Sequence, residues 1–205
     1  YYMEINMEKV VNSYRYERKF DLQGLSLKEV EYVIKSNPAH FNNIFHPRQI
    51  NNIYFDTMYA YQSYYDNVDG ATDRVKARIR WYGDLLGKIT NPILEFKIKQ
   101  GLVGRKESFK LPNFELNHGF NYYYLKQQFN QSDLPKNIKL ILSSLTPTLL
   151  NSYQRSYYLS SNQKFRLTVD TELNYYRINA INNTFINKQV AEKEIILELK
   201  YTKEN

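Results

Sequence analysis

The sequence contains no cysteine, which excludes disulfide scaffolds, thiolate zinc sites and a cysteine nucleophile, and makes a reducing, cytoplasmic setting the expectation. Only 7 glycines and 6 prolines occur in 205 residues, too few for a collagen-like or low-complexity chain. No run of about 18 apolar residues is found, and the opening YYMEINMEKVV lacks a basic segment followed by an apolar one. Neither a transmembrane helix nor a secretory leader is therefore expected. Histidine is scarce as well: His40, His46 and His118 fall in predicted loops or at a helix start without HxH or HExxH spacing, and are read as structural or solvent-facing.

What is present describes a globular chain, 42% hydrophobic and 24% charged, long enough to bury a sizeable core. Lysine and arginine (28) outnumber aspartate and glutamate (21), and the resulting net charge of +7 points to an anionic partner. Nucleic acid, phosphorylated small molecules and acidic membrane surfaces all suit such a balance, so the placement of the charges has to decide.

A strand signal, period-two alternation in the clearest segments and β-branched and aromatic content in others, marks most of the chain. It runs over Ser13 to Leu22, Gln49 to Thr57, Asp73 to Tyr82, Pro92 to Gln100, Arg105 to Leu111, Leu150 to Ser160, Lys164 to Thr171 and Glu192 to Tyr201. The second to fifth of these read as a four-stranded antiparallel meander, with a hairpin turn at Gly101 to Gly104. Helical spacing appears at three places. Ser26 and Glu29 form a capping box for a helix that stops before Pro38, and apolar faces mark Asn117 to Phe129 and Pro135 to Leu145. The Asn-rich loop near Asn179 to Asn187 has room for a further short pair. No internal repeat or linker interrupts this order, so the expectation is one α+β domain over residues 1–205, with eight main antiparallel strands and three peripheral helices.

Six strands place charge on one face: Arg15/Glu17/Lys19, Lys76/Arg78/Arg80, Glu95/Lys97/Lys99, Tyr153/Arg155/Tyr157, Arg166/Thr168/Asp170 and Glu194/Glu198/Lys200. One such strand is ordinarily a solvated outer face. Six of them, with apolar sets large enough for three helices to cover, predict a closed eight-stranded β-barrel with the charged faces turned inward. Cations at every second position of neighbouring strands repel one another, and a phosphate chain relieves that repulsion through charge-assisted hydrogen bonds. Lys76, Lys99 and Lys200 belong to this array. The interspersed carboxylates are hard oxygen ligands suited to Mg²⁺ or Mn²⁺.

The strings RYERKF, NIYFDT, ARIRWYG, LEFKIKQG, YQRSYY, FRLTVDTEL and IILELKY, in this order, resemble the VTC (vacuolar transporter chaperone) domain of polyphosphate polymerases, a branch of the CYTH or triphosphate tunnel metalloenzyme superfamily. The resemblance implies an eight-stranded tunnel that binds ATP or another triphosphate with Mn²⁺ or Mg²⁺ and transfers the terminal phosphoryl group to polyphosphate, releasing ADP. It implies that Arg78, Arg80, Lys97, Tyr153 and Arg155 grip phosphate, with Lys19, Lys106 and Arg166 beside them. Glu198 becomes the metal-binding glutamate, with Glu17 as its partner, and Asp170 completes the RxTxD strand. The first strand departs from the family's ExExK by placing Arg15 where a carboxylate stands, and only Lys203 follows the closing ExK strand, so a shortened closing segment is expected. Hydrolysis of a triphosphate and non-catalytic binding of polyphosphate stand as alternatives. Nucleic acid is not expected, because carboxylates are mixed into the charged faces. A membrane-associated partner is left open.

Overall fold

The computed structural model describes residues 15–57, 74–100, 103–179, 181–185, 188–191 and 194–202. Eleven strands and three helices are defined among them. The strands are β1 (Arg15–Asp21), β2 (Asn42–Thr57), β3 (Arg74–Tyr82), β4 (Gly87–Ile89), β5 (Ile93–Gln100), β6 (Val103–Lys110), β7 (Phe114–Leu116), β8 (Leu145–Leu159), β9 (Phe165–Arg177), β10 (Lys188–Ala191) and β11 (Ile196–Thr202). The helices are α1 (Leu27–Ser36), α2 (Tyr122–Gln131) and α3 (Lys136–Ser143). In the main sheet the hydrogen-bonded order is β1-β11-β9-β8-β2-β3-β5-β6, with β10 on β9, while β4 and β7 form a separate pair. The expected meander is present as β2-β3-β5-β6.

One expectation needs correction. Among the described residues the end strands β1 and β6 do not pair, so the sheet is an open path and not a closed barrel. Alternation along a strand reports which residues share a face, but closure depends on the pairing of two edges distant in sequence, about which alternation carries no information. The hairpin residues Gly101 and Leu102, and Lys203, lie outside the described residues.

The chain divides into two compact units, one of residues 1–46, 156–170 and 195–205, the other of residues 47–155 and 171–194. In the first, α1 follows the capping box: the Ser26 hydroxyl accepts from Glu29 N at 3.4 Å, and the Glu29 carboxylate accepts from Ser26 N at 2.7 Å. The helix ends at Ser36 because Pro38 forces Asn37 out of the helical region, to φ −66° and ψ 135°. Val30 and Ile34, one turn apart, bury against Tyr158, Leu167, Val169 and Ile195.

The second unit has the larger core. Ile53 and Phe55 of β2, Ala77, Ile79 and Trp81 of β3, and Leu94 and Phe96 of β5 all come from one face of the sheet. Leu125 and Phe129 of α2 and Ile138 and Leu142 of α3 cover them, together with Ile89, Phe114 and Leu116 of the β4-β7 pair. Trp81 meets Phe114 edge to face at 6.2 Å, and its indole N–H donates to the Asp84 carbonyl at 2.9 Å. Asn51 Nδ2 donates to the Gly83 carbonyl at 2.9 Å, and Gly83 and Gly87 adopt φ 92° and 91°, which favours glycine. The WYG of the ARIRWYG string is thus a device for turning the chain.

Sequence and structure differ at several places: α2 begins at Tyr122 and not at Asn117, β9 runs on past Thr171 to Arg177, and β11 begins at Ile196 and not at Glu192. The helix expected to reach Leu145 stops at Ser143, and β8 starts at Leu145. Pro147 disfavours a helical Thr146, and the hydroxyls of Thr146 and Thr148 donate to the carbonyls of Asp56 and Tyr54 on β2. Strand β2 begins at Asn42, seven residues before the alternation does, because Asn42 to Arg48 are exposed throughout and carry no buried face to pattern. Strands β4 and β7 have three residues each, too short for a periodicity to register.

Ile79 and Val75 share a face of β3 but differ in burial, at 0% and 45% exposure. Ile79→Ala is expected to cost about 2 to 5 kcal/mol and Val75→Ala no more than about 0.5 kcal/mol, read from urea denaturation midpoints. Equal costs would show that the face of β3 bearing Ile79 is not the packed one.

Candidate functional site

With one face of the larger unit's sheet sealed by helices, the alternate residues of the same strands fall on the other face. Strand register then arranges them in rows across β3, β5 and β6. Lys76 stands opposite Lys97, and Lys97 opposite Lys106; Arg78 stands opposite Glu95, and Glu95 opposite Ser108; Arg80 stands opposite Ile93, and Ile93 opposite Lys110. Strand β2 adds Tyr54 beside Arg78 and Asn52 beside Arg80. Three lysines thus stand in one row on adjacent strands, where like charges directly opposite one another repel.

The arginine heads are held. Arg78 Nε donates to Glu95 Oε2 at 2.7 Å, its Nη2 lies 2.6 Å from the same oxygen, and its Nη1 donates to the Tyr54 hydroxyl at 3.4 Å. Lys106 Nζ pairs with the other Glu95 oxygen, Oε1. Arg80 Nε donates to Asn52 Oδ1 at 2.9 Å and its Nη2 to the Tyr153 hydroxyl at 3.3 Å. Asn52 is itself fixed, since its Nδ2 donates to Asn151 Oδ1 at 2.9 Å. The Arg155 guanidinium lies 5.2 Å from the centre of the Tyr153 ring, a cation–π distance. Arg78, Arg80, Lys106, Tyr153 and Arg155 therefore each have a defined partner on this unit. Lys76 and Lys97 join the row by register, and Lys99 stands opposite Arg74 in the backbone ladder, its side chain lying outside the described residues.

Electrostatics follow from these contacts. Burial of Glu95 opposes its ionisation, but the hydrogen bond from Lys106, the charge and hydrogen bonds of Arg78 and the charge of Arg80 outweigh it, and the carboxyl is held below its ordinary range. Burial likewise works against the Arg78 cation, and Tyr54 and Glu95 overcome it, holding the guanidinium above its usual value.

The smaller unit carries a second charged set. Register places Lys19 opposite Glu198 and Glu198 opposite Thr168, while Glu17 faces Lys200 and Lys200 faces Arg166. Glu198 is buried, with Lys200 Nζ at 3.3 Å and Lys19 Nζ at 3.9 Å, and Lys200 also reaches Glu17 at 3.9 Å. Asp170 is buried one step along the same face, opposite Ile196. Among the described residues no group of three His, Cys, Asp or Glu is arranged to hold a metal. Glu198 thus has a cation beside each of its oxygens, Lys19 near Oε1 and Lys200 near Oε2. Opposite it in the ladder, the buried Thr168 hydroxyl has no hydrogen-bond partner among the described residues.

Asn52, Tyr54 and Asn151 were not among the residues singled out from the sequence, and Glu95 was named only within the charged face of its strand. The signal for two of them was available, because Asn52 and Tyr54 have the opposite parity to the core residues Ile53 and Phe55. Glu95, one of the interspersed carboxylates, has both of its oxygens engaged by Arg78 and Lys106.

These features define an α+β protein whose antiparallel sheet is backed by helices and carries ordered cations on the opposite face of the larger unit. The VTC domain matches residues 14–205, and the chain belongs to that family. No curated relative matches it at a significant level. Solved structures similar to it include a protein from Pyrococcus horikoshii (12% identity, TM-score 0.46, 94% of this chain and 80% of that one). A putative adenylate cyclase from Vibrio parahaemolyticus is similar at 10% identity and TM-score 0.46, over 92% of this chain and 77% of that one. A putative adenylyl cyclase from Hippeastrum, described as having a dominant triphosphatase activity, is similar at 14% identity and TM-score 0.45, over 91% and 79%.

Because the folded pKa of Glu95 lies below its unfolded value, its stabilising contribution is present above the ordinary carboxylate range and disappears as pH falls through the folded value. The difference in urea midpoint between the native protein and Glu95→Gln is expected to be large near about pH 7 and to shrink by about pH 3. A difference that does not change with pH would mean that Glu95 is not held ionised.

Proposed function

We propose that this chain carries out metal-dependent phosphoryl transfer on a triphosphate, specifically the transfer of the terminal phosphoryl group of ATP to a polyphosphate chain with release of ADP. The observation that carries the reading is the ordered cationic face of the larger unit, where Arg78 and Arg80 are held by Glu95 and Asn52 beside the Lys76, Lys97 and Lys106 row. Membership of the VTC family supports it. Transfer of a phosphoryl group needs little covalent work from a protein, so positioning and charge stabilisation carry most of the rate and no protein nucleophile is required.

In this reading Arg78, Arg80, Lys97 and Arg155 contact the transferring phosphoryl group, and Lys76, Lys99, Lys106 and Tyr153 bind the remaining phosphates. In the smaller unit Lys19, Arg166 and Lys200 bind phosphate, and Glu198, with Glu17, would hold Mn²⁺ or Mg²⁺. Such a cation, when bound, neutralises phosphate charge and polarises a phosphoryl oxygen. The terminal oxygen of polyphosphate attacks the γ-phosphorus of ATP as the bond to the β-phosphate oxygen breaks, so the chain gains one phosphate and ADP leaves. A cytoplasmic location accords with a chain that has no cysteine and, among its described residues, no helix long and apolar enough to cross a membrane. A purely binding role has one observation in its favour: Arg15 stands where the family's first strand carries a carboxylate.

ATP turnover with Mn²⁺ or Mg²⁺, resolving ADP, free phosphate and polyphosphate, tests the reading beside Arg78→Ala and Glu198→Ala. Polyphosphate and ADP, falling at least about a hundredfold in both variants, are expected. Free phosphate alone would make the chain a triphosphate hydrolase. Absence of turnover, with tripolyphosphate still raising the melting temperature of the native protein and not of Arg78→Ala, would leave it a binding module.

A further inference from the structure

The cationic face of the larger unit contains a carboxylate that binding of an anion does not require. Glu95 is 7% exposed, yet it lies on the charged face, and nothing in the packing of Leu94 and Phe96 beside it calls for an acid. Counting charge alone, an acid amid Arg78, Arg80, Lys97 and Lys106 weakens the pull on phosphate, and removing it should tighten anion binding.

Geometry argues the reverse. Glu95 is on the middle strand of three, opposite Arg78 on β3 and opposite Ser108 on β6, with Lys106 one row away. Its Oε2 takes Arg78 through Nε at 2.7 Å and Nη2 at 2.6 Å, and its Oε1 takes Lys106. Tyr54 reaches the remaining nitrogen of Arg78, Nη1, so the guanidinium is held at both ends. Arginine and lysine side chains lose considerable rotamer entropy on being fixed, and without an anchor their heads would spread apart under mutual repulsion. An anion would then have to order them itself, at the expense of its affinity.

We infer that Glu95 is a positioning residue: it holds the Arg78 and Lys106 heads in place on neighbouring strands so that a phosphate meets two cations already ordered. The inference rests on the phosphate-binding reading of this face. Glu95 need not touch the phosphate; it acts through the two cations, one of which, Lys106, keeps a half-exposed side chain.

The test is calorimetric titration of the full chain with inorganic tripolyphosphate, comparing the native protein with Glu95→Gln, Glu95→Asp, Arg78→Ala and the Arg78→Ala/Glu95→Gln double variant. Affinity is expected to fall about tenfold or more in both Glu95 variants, although charge alone predicts a gain for Glu95→Gln and no change for Glu95→Asp. Glu95→Asp keeps the charge and withdraws it by one methylene, so it carries the test if Glu95→Gln does not fold. In the Arg78→Ala background Glu95→Gln should cost much less than in the native protein, because what it positions is already gone. A merely structural acid would cost the same in both backgrounds, and that result would overturn the inference, as would native or tighter affinity in Glu95→Gln and Glu95→Asp. Failure of the native protein to bind tripolyphosphate, or undiminished binding by Arg78→Ala, would instead remove the phosphate-binding reading and this inference with it.

Discussion

Successive side chains of a strand point to opposite faces, and in the larger unit this constraint ties the hydrophobic core to the charged surface. Ile79 and Trp81 can enter the core under α2 and α3 only if Arg78 and Arg80 leave it on the other side. The same holds on β5, where Leu94 and Phe96 go one way and Glu95 and Lys97 the other. Packing and charge are therefore set together: a one-residue slip of β3 would bury its cations and expose its core residues. The sealed face supplies rigidity, and rigidity allows long cationic side chains to be held at a fixed spacing.

Holding them needs more than a strand. An arginine has several rotatable bonds, and on a bare face it would sweep a wide volume. Arg78 is fixed by a carboxylate and a tyrosine, and Arg80 by an asparagine that is fixed in turn by Asn151. The two arginines, two residues apart on β3, thus receive different partners, one ionic and one neutral. The ionic partner offsets the repulsion of neighbouring lysines, and the neutral one fixes the Arg80 head without neutralising its charge. In the smaller unit the relation is inverted, with a buried glutamate, Glu198, flanked by the ammonium groups of Lys19 and Lys200.

Much of this was legible from the chain. The strong alternation of DRVKARIRWY and PILEFKIKQ placed Lys76, Arg78, Arg80 and Lys97 on one face, and the capping box located α1 to the residue. The family strings marked Arg78, Arg80, Tyr153, Arg155 and Glu198. Some signals were misread or absent: β8 starts at Leu145 because Pro147 overrides the apolar spacing, and the opening of β2 has no buried face to leave a pattern. WYG entered only as the end of a family string, and in the structure Trp81 and Gly83 build a turn.

Composition and periodicity determined that the chain is α+β, that its strands segregate charge from apolar residues, and that the charge is predominantly basic, because these are local properties of two-residue alternation and residue type. Which strand lies beside which was decided by the tertiary structure alone, and with it the alignment of Lys76, Lys97 and Lys106 and the bridging of Arg78 and Lys106 by Glu95. Register between strands arises from packing and hydrogen bonding over residues far apart in the chain, and no window of sequence contains both partners.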